Sequence, residues 1–160
     1  MSLNPSQLGR RLAHIERELA EINKALKSLK PKRALGFVAA IPPASVCKDA
    51  LSHLVGTARG YEGVLATLAA YYQIPTMGLY HNPKRVQEAE RVLGLKQMVA
   101  AAYFWQEGCA YTKETTVDRH TVLHEFFHHL VAQGVVIVKG EDAELRANEF
   151  ANTILQRADL

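Results

Sequence analysis

The chain has 160 residues, enough for one domain of ordinary size plus at most one appended element. Apolar residues make up 48% of it, which supports a real core, while a net charge of +3 and a pI near 8.9 are too mild to argue for nucleic acid. No stretch approaches about 18 continuous apolar residues, the first residues lack the apolar core of a secretory signal, and the two cysteines, Cys47 and Cys109, stand in no metal-ligand or disulfide spacing. No membrane partner is expected, and the expected location is cytoplasmic.

A helix signal opens the chain: Asn4 is a cap, Pro5 suits the first helical position and Gln7 follows three residues after the cap. Apolar residues then fall at Leu8, Leu12, Ile15, Leu19, Ile22, Leu26 and Leu29, in steps alternating four and three, until Pro31. This is a heptad stripe with Leu12, Leu19 and Leu26 at a and Leu8, Ile15, Ile22 and Leu29 at d. Two readings apply: an amphipathic helix packed on its own domain, or self-association of residues 8–29 into a homo-oligomer. The e and g positions include Gly9, Arg11, Glu16, Glu18, Asn23 and Ala25, so charge pairing across the seam is partial and the number of strands stays open. Residues 1–31 thus form an N-terminal element, and residues 34–160 the domain proper.

Residues 34–41 read as a strand or a buried connector before Pro42-Pro43. Ser45 is expected to cap a helix reaching about Val55, ended by Gly56. A second helix is expected from Tyr61 to Tyr72, stopped by Pro75. Asn82-Pro83 marks cap and first turn of a third, ending near Gly94. Gln97–Trp105 and Cys109–Lys113, separated by Gln106-Glu107-Gly108, read as a β-hairpin. Trp105 and Phe104 are expected in the core, with Phe126, Phe127, Phe150 and Ala151.

The next helix is expected from about Val117, capped by Thr116 or Asp118, to Gln133, with Gly134 as its stop signal. It carries His124-Glu125-Phe126-Phe127-His128. Residues four apart share one helix face, so the two imidazoles can grip a single metal ion. Glu125, beside the first ligand, can reach a metal-bound water as general base. A catalytic zinc site uses three protein ligands and keeps a fourth position open. Of the acidic residues that follow, Glu144 is preferred as third ligand and Glu149 is its rival. Asn148, four residues after Glu144, shares its face and suits a partner that holds a ligand in place. Val135–Val138 reads as a strand or buried connector, and Asp142 as the start of the last helix. His129 is turned about 100° from His128 and is expected at the surface or behind the ligands.

The run from His124 to His128, followed by Glu144-Leu145-Arg146-Ala147-Asn148-Glu149-Phe150-Ala151, resembles the ImmA/IrrE-type zinc metallopeptidases, which pair an HExxH helix with an E-x-x-A-N-x-F-A helix. Thr121 also matches. The likeness covers roughly residues 75–157, with a short segment between the motifs and no Leu-Met-Pro run after the second, where Ile154-Leu155 stands for the apolar part. It implies an α+β, mostly helical, zincin-like domain with a small hairpin or sheet beside the HExxH helix. It also implies a gluzincin-like centre, with His124, His128 and Glu144 on Zn2+ and Glu125 as base. The function expected is hydrolysis of peptide bonds, in a regulatory protein substrate. The alternative is a non-catalytic, metal-stabilised interaction module that self-associates through the N-terminal helix. Manganese, iron or cobalt can take the same ligands. The strand Cys109–Lys113, as a sheet edge, would hold an extended peptide. An oxyanion needs a further donor, with His120, Tyr111, Tyr103 and His81 as candidates; His120 can equally be a fourth ligand or an ordinary residue of the first turn.

Overall fold

The computed structural model describes residues 4–29, 41–53, 58–92, 94 and 99–159, with side chains in the first stretch only as far as residue 25. The chain forms two compact units, residues 1–34 and 35–160. The first contains helix α1, Pro5–Leu29. Asn4 caps it as the sequence predicts: its Oδ1 accepts from the Ser6 backbone N–H at 3.1 Å, and its carbonyl takes the N–H groups of Gln7 and Leu8.

The second unit is α+β and mostly helical. Its helices are α2 (Ala44–Leu51), α3 (Glu62–Tyr72), α4 (Pro83–Val92), α5 (Arg119–Ala132) and α6 (Ala143–Asp159). Its strands are β1 (Gly78–His81), β2 (Ala101–Phe104) and β3 (Cys109–Thr112). α2 starts two residues earlier than expected, with Pro43 rather than Ser45 at the cap, and ends at Leu51; residues 54–57 lie outside the described residues. Proline at the cap leaves no side-chain acceptor for the first turn, so packing of Cys47 and Ala50, both fully buried, holds this short helix. The run expected over 34–41 lies outside the described residues except for Ile41, which is buried.

α3 stops where Gln73 takes the left-handed conformation at φ 56°, two residues before the chain passes through Pro75 toward β1. α4 begins as the Asn82-Pro83 pair predicts, the Arg85 N–H reaching Asn82 Oδ1 at 3.3 Å. The hairpin forms, with β2 and β3 antiparallel and Ala101 opposite Thr112. Gly108 takes a φ of 64° in its turn, a conformation open to glycine at no steric cost.

Two expectations fail here. β3 is the central strand of a three-stranded sheet, order β1-β3-β2, because β1 pairs with it in parallel, Gly78 opposite Cys109. It therefore has no free edge to hold a peptide. Trp105 is not in the core: it sits at the start of the hairpin turn and is 71% exposed. Residues Val135 and Val136 form a buried connector rather than a strand, and Ile137 is exposed.

The core lies between α5, α6, α2, α3 and the sheet. Phe126 and Phe127 of α5 meet Phe150 of α6, with ring centroids 6.5 and 5.3 Å apart, and all three are fully buried. Each such side chain contributes about 1.5–3 kcal/mol by leaving water. Ala147 and Ala151 flank Phe150 on α6 and let the two helices approach. Polar ties fix the ends: Tyr61 donates to the Val117 carbonyl at 2.7 Å, just before α5, and Arg157 of α6 to the Pro42 carbonyl at 2.7 Å. Among the described residues no helix is long and apolar enough to cross a membrane.

Candidate metal centre

Asp118 is the cap of α5. Its carboxylate accepts from the Thr121 backbone N–H at 2.9 Å and from the Thr121 hydroxyl at 2.8 Å. Beyond the cap, α5 is buried round most of its circumference. The half-buried positions His120, Thr121, His124, His128 and Val131 make one continuous strip, one turn apart along the helix. On α6 the buried positions Ala147, Phe150, Ala151 and Ile154 set the inward stripe, and Glu144 and Asn148 ride beside it at i, i+4 spacing. Docking that stripe onto Phe126 and Phe127 brings Glu144 and Asn148 over the histidine strip.

Three ligand-type groups converge there. His124 Nε2 lies 3.0 Å from Glu144 Oε2, His128 Nε2 lies 3.0 Å from Glu144 Oε1, and the two Nε2 atoms are 3.2 Å apart. A tetrahedral ion with bonds near 2.1 Å to nitrogen and oxygen holds its donor atoms about 3.4 Å apart. The spacing therefore fits a metal, and these three are the group able to hold one among the described residues. The tautomer fits as well. Asn148 Oδ1 stands 2.8 Å from His124 Nδ1, so with the proton on Nδ1 the ring would offer an Nε2 lone pair to an ion at the centre, in place of the hydrogen bond that Nε2–H gives Glu144 in its absence.

Glu149 is not part of the cluster; it pairs with Arg146 at 2.7 Å, on another side of α6. This decides between the two carboxylates in favour of Glu144. Glu144 is 75% exposed, yet hydrogen bonds from His124 and His128 pull its carboxyl far below the usual carboxylate range. For His124, burial opposes the charged ring, but the hydrogen bond it donates to Glu144, the charge of Glu125 and the Asn148 contact outweigh it and raise its pKa.

Glu125 is different in kind. It is 6% exposed and lies outside the ligand cluster. Burial pushes its pKa up; the charges of His128 and His124 and the backbone N–H of Tyr103, which hydrogen-bonds its carboxylate, pull the other way, while Glu144 adds to the rise. A buried carboxylate with a raised pKa, beside a metal-ligand cluster, is the arrangement a general base requires.

His129 is not at the surface. It is 1% exposed, because α5 buries nearly every face except the ligand strip. Its Nε2–H donates to the Pro75 carbonyl at 2.7 Å, so Nδ1 accepts from the Tyr103 hydroxyl at 2.9 Å. Burial lowers its pKa, against the weaker opposing effect of Pro75, which suits this neutral form. Tyr103 is thus fastened to α5 twice, by its hydroxyl to His129 and by its N–H to Glu125. No sequence signal links Pro75 to His129, since the contact spans 54 residues.

The cluster opens into a cleft of about 1190 Å³ bounded by β2, the end of α4, α5 and α6. No protein-family model, curated protein or solved structure matches the chain. The likeness to the ImmA/IrrE-type peptidases rests on the two motifs themselves. Of the four candidate oxyanion donors, His120 and Tyr103 line the cleft; Tyr103 has its hydroxyl engaged by His129. The Tyr111 hydroxyl donates to Glu107 at 2.6 Å, and neither Tyr111 nor His81 lines the cleft. His120 stands with its ring 6.3 Å from that of His124, outside the three-ligand group.

Proposed function

We propose that the chain is a zinc-dependent metallopeptidase of zincin-like architecture, acting on a regulatory protein substrate in the cytoplasm. The observation that carries this reading is the pairing of a three-ligand cluster with a buried carboxylate that is not itself a ligand, both on the wall of a large cleft. His124, His128 and Glu144 would hold the ion, with Asn148 fixing the His124 ring. Zinc at such a His2Glu site supplies Lewis acidity and an acidic bound water. Glu125 would take the proton of the attacking water and deliver it to the leaving amine; its carboxylate is buried beside the ligand cluster without belonging to it. His120, which lines the cleft, would be the donor toward a developing oxyanion.

β2 supports the reading from the opposite wall. It pairs with β3 on one side, and its residues Ala101–Phe104 line the cleft. An extended peptide laid along it would meet the ligand strip of α5. The position of His120 outside the ligand group weighs against a closed four-ligand structural site.

Elemental analysis of the purified chain tests the centre: about one zinc per chain is expected, lost in Glu144→Ala and kept in Glu149→Ala. A peptide-library digest then tests the chemistry. Glu125→Gln should keep its zinc and lose cleavage by about 10²-fold or more. Undiminished cleavage in Glu125→Gln, or zinc retained without Glu144, would overturn the assignment.

A further inference from the structure

Within its own unit α1 leaves its apolar stripe uncovered. Leu8, Leu12, Ile15, Leu19 and Ile22 are 45–54% exposed. The remaining positions of the helix are polar or small, and His14 and Glu18 meet across one turn at 3.3 Å, Glu18 at a g position on the flank of the stripe. A narrow seam of leucine and isoleucine in alternating steps of four and three is the surface that two or more copies of one helix bury against each other.

The identities along the seam carry information that the spacing does not. Every full a position is leucine, at 12, 19 and 26, and the central d positions, 15 and 22, are isoleucine. In a parallel coiled coil the geometry of the a and d layers differs, so a β-branched side chain fits one layer and crowds the other. Isoleucine at a with leucine at d favours two strands; the reverse order, present here, favours higher-order bundles. One charge pair favours a direction. In a parallel, in-register bundle each g residue faces the e residue five positions on in its neighbour, which sets Arg11 against Glu16 of the next copy. In an antiparallel bundle e faces e and g faces g, and this pair is lost.

We propose that α1 joins four copies of this chain as a parallel four-stranded coiled coil. The occupant of the stripe is the same helix of other copies, not a separate protein. The inference is independent of the metal centre, because α1 contributes no ligand to it.

Sedimentation equilibrium on the full-length chain tests it. The expected mass is about four times the 17.8 kDa of one chain. The double variant Ile15→Asp, Ile22→Asp should fall to the mass of a single chain while keeping its metal content. Exchanging the layers, with Leu12→Ile, Ile15→Leu, Leu19→Ile and Ile22→Leu, should move the assembly from four chains to two at unchanged composition. Arg11→Glu should weaken the tetramer, and adding Glu16→Arg should restore it. A wild-type mass of one, two or three chains overturns the proposal, as does a tetramer that survives the aspartate pair. Failure of the charge exchange to restore assembly overturns the parallel arrangement.

Discussion

On α6 the stripe Ala147, Phe150, Ala151 and Ile154 is fully buried, whereas on α1 Leu8, Leu12, Ile15, Leu19 and Ile22 stay about half exposed. Both helices are amphipathic, so amphipathicity alone does not separate them. The difference lies in relief. The α6 stripe alternates small alanines with one large ring, an uneven surface that fits only the facing pair Phe126 and Phe127. The α1 stripe repeats branched aliphatic side chains of nearly equal size, a surface whose best match is a copy of itself. A site that needs fixed distances is built on the first kind of contact, and α6 is the helix that carries Glu144 and Asn148.

The largest test of this contrast is a matched truncation. Phe150→Ala should destabilise the second unit by about 3–5 kcal/mol, measured by urea unfolding, because it opens a cavity among fully buried rings. Ile22→Ala removes no core side chain and should appear as a change in mass, with unfolding of the second unit little altered. An equal loss from both would erase the distinction. Next in size, Asn148→Ala should lower metal affinity about 10–100-fold, read by competition with a chromogenic chelator, since the His124 ring loses the acceptor that orients it. Asp118→Ala should then cost about 1 kcal/mol by thermal melting, through loss of the α5 cap.

The smallest effect concerns the tie between α4 and the end of β3. Glu90 of α4 accepts from Lys113 at 2.6 Å and from the Val99 N–H at 3.3 Å. The Lys113 hydrogen bond is the main cause that lowers its pKa, against some desolvation. A depressed carboxylate contributes stability above its unfolded pKa, about 4.3, and loses it as pH falls through the lower folded value. Wild type should therefore melt higher than Glu90→Gln near neutral pH, and the two should converge in acid. A gap that persists in strong acid would sink this account.

The ligand cluster is legible in the sequence because its spacing is local. Four residues along a helix place His124 beside His128 and Glu144 beside Asn148, whatever the rest of the chain does. The choice of Glu144 over Glu149 needs the docked face of α6, and the buried triplet at 147, 150 and 151 supplies it in the sequence as well. The sheet is less legible. β1 has four residues and pairs with a strand some 30 residues further on, so nothing near it announces the partner, and β3 passes for an edge. Trp105 misleads because a large ring signals burial, while the turn it occupies has no core to offer. His129 misleads for the opposite reason: the HExxH face invites one to treat the other faces as solvent, and α5 has almost none.

The three ligands are unequal in one respect. His124 and His128 keep side-chain exposures of 16% and 21%, whereas Glu144 keeps 75%. The imidazoles form the fixed floor of the site and the carboxylate its outer latch. Solvent therefore reaches the centre on the Glu144 side, while the imidazoles are covered by the body of the domain. An ion taken up here would be approached from the side of α6, past one exposed carboxylate, with the helices that carry the histidines already packed.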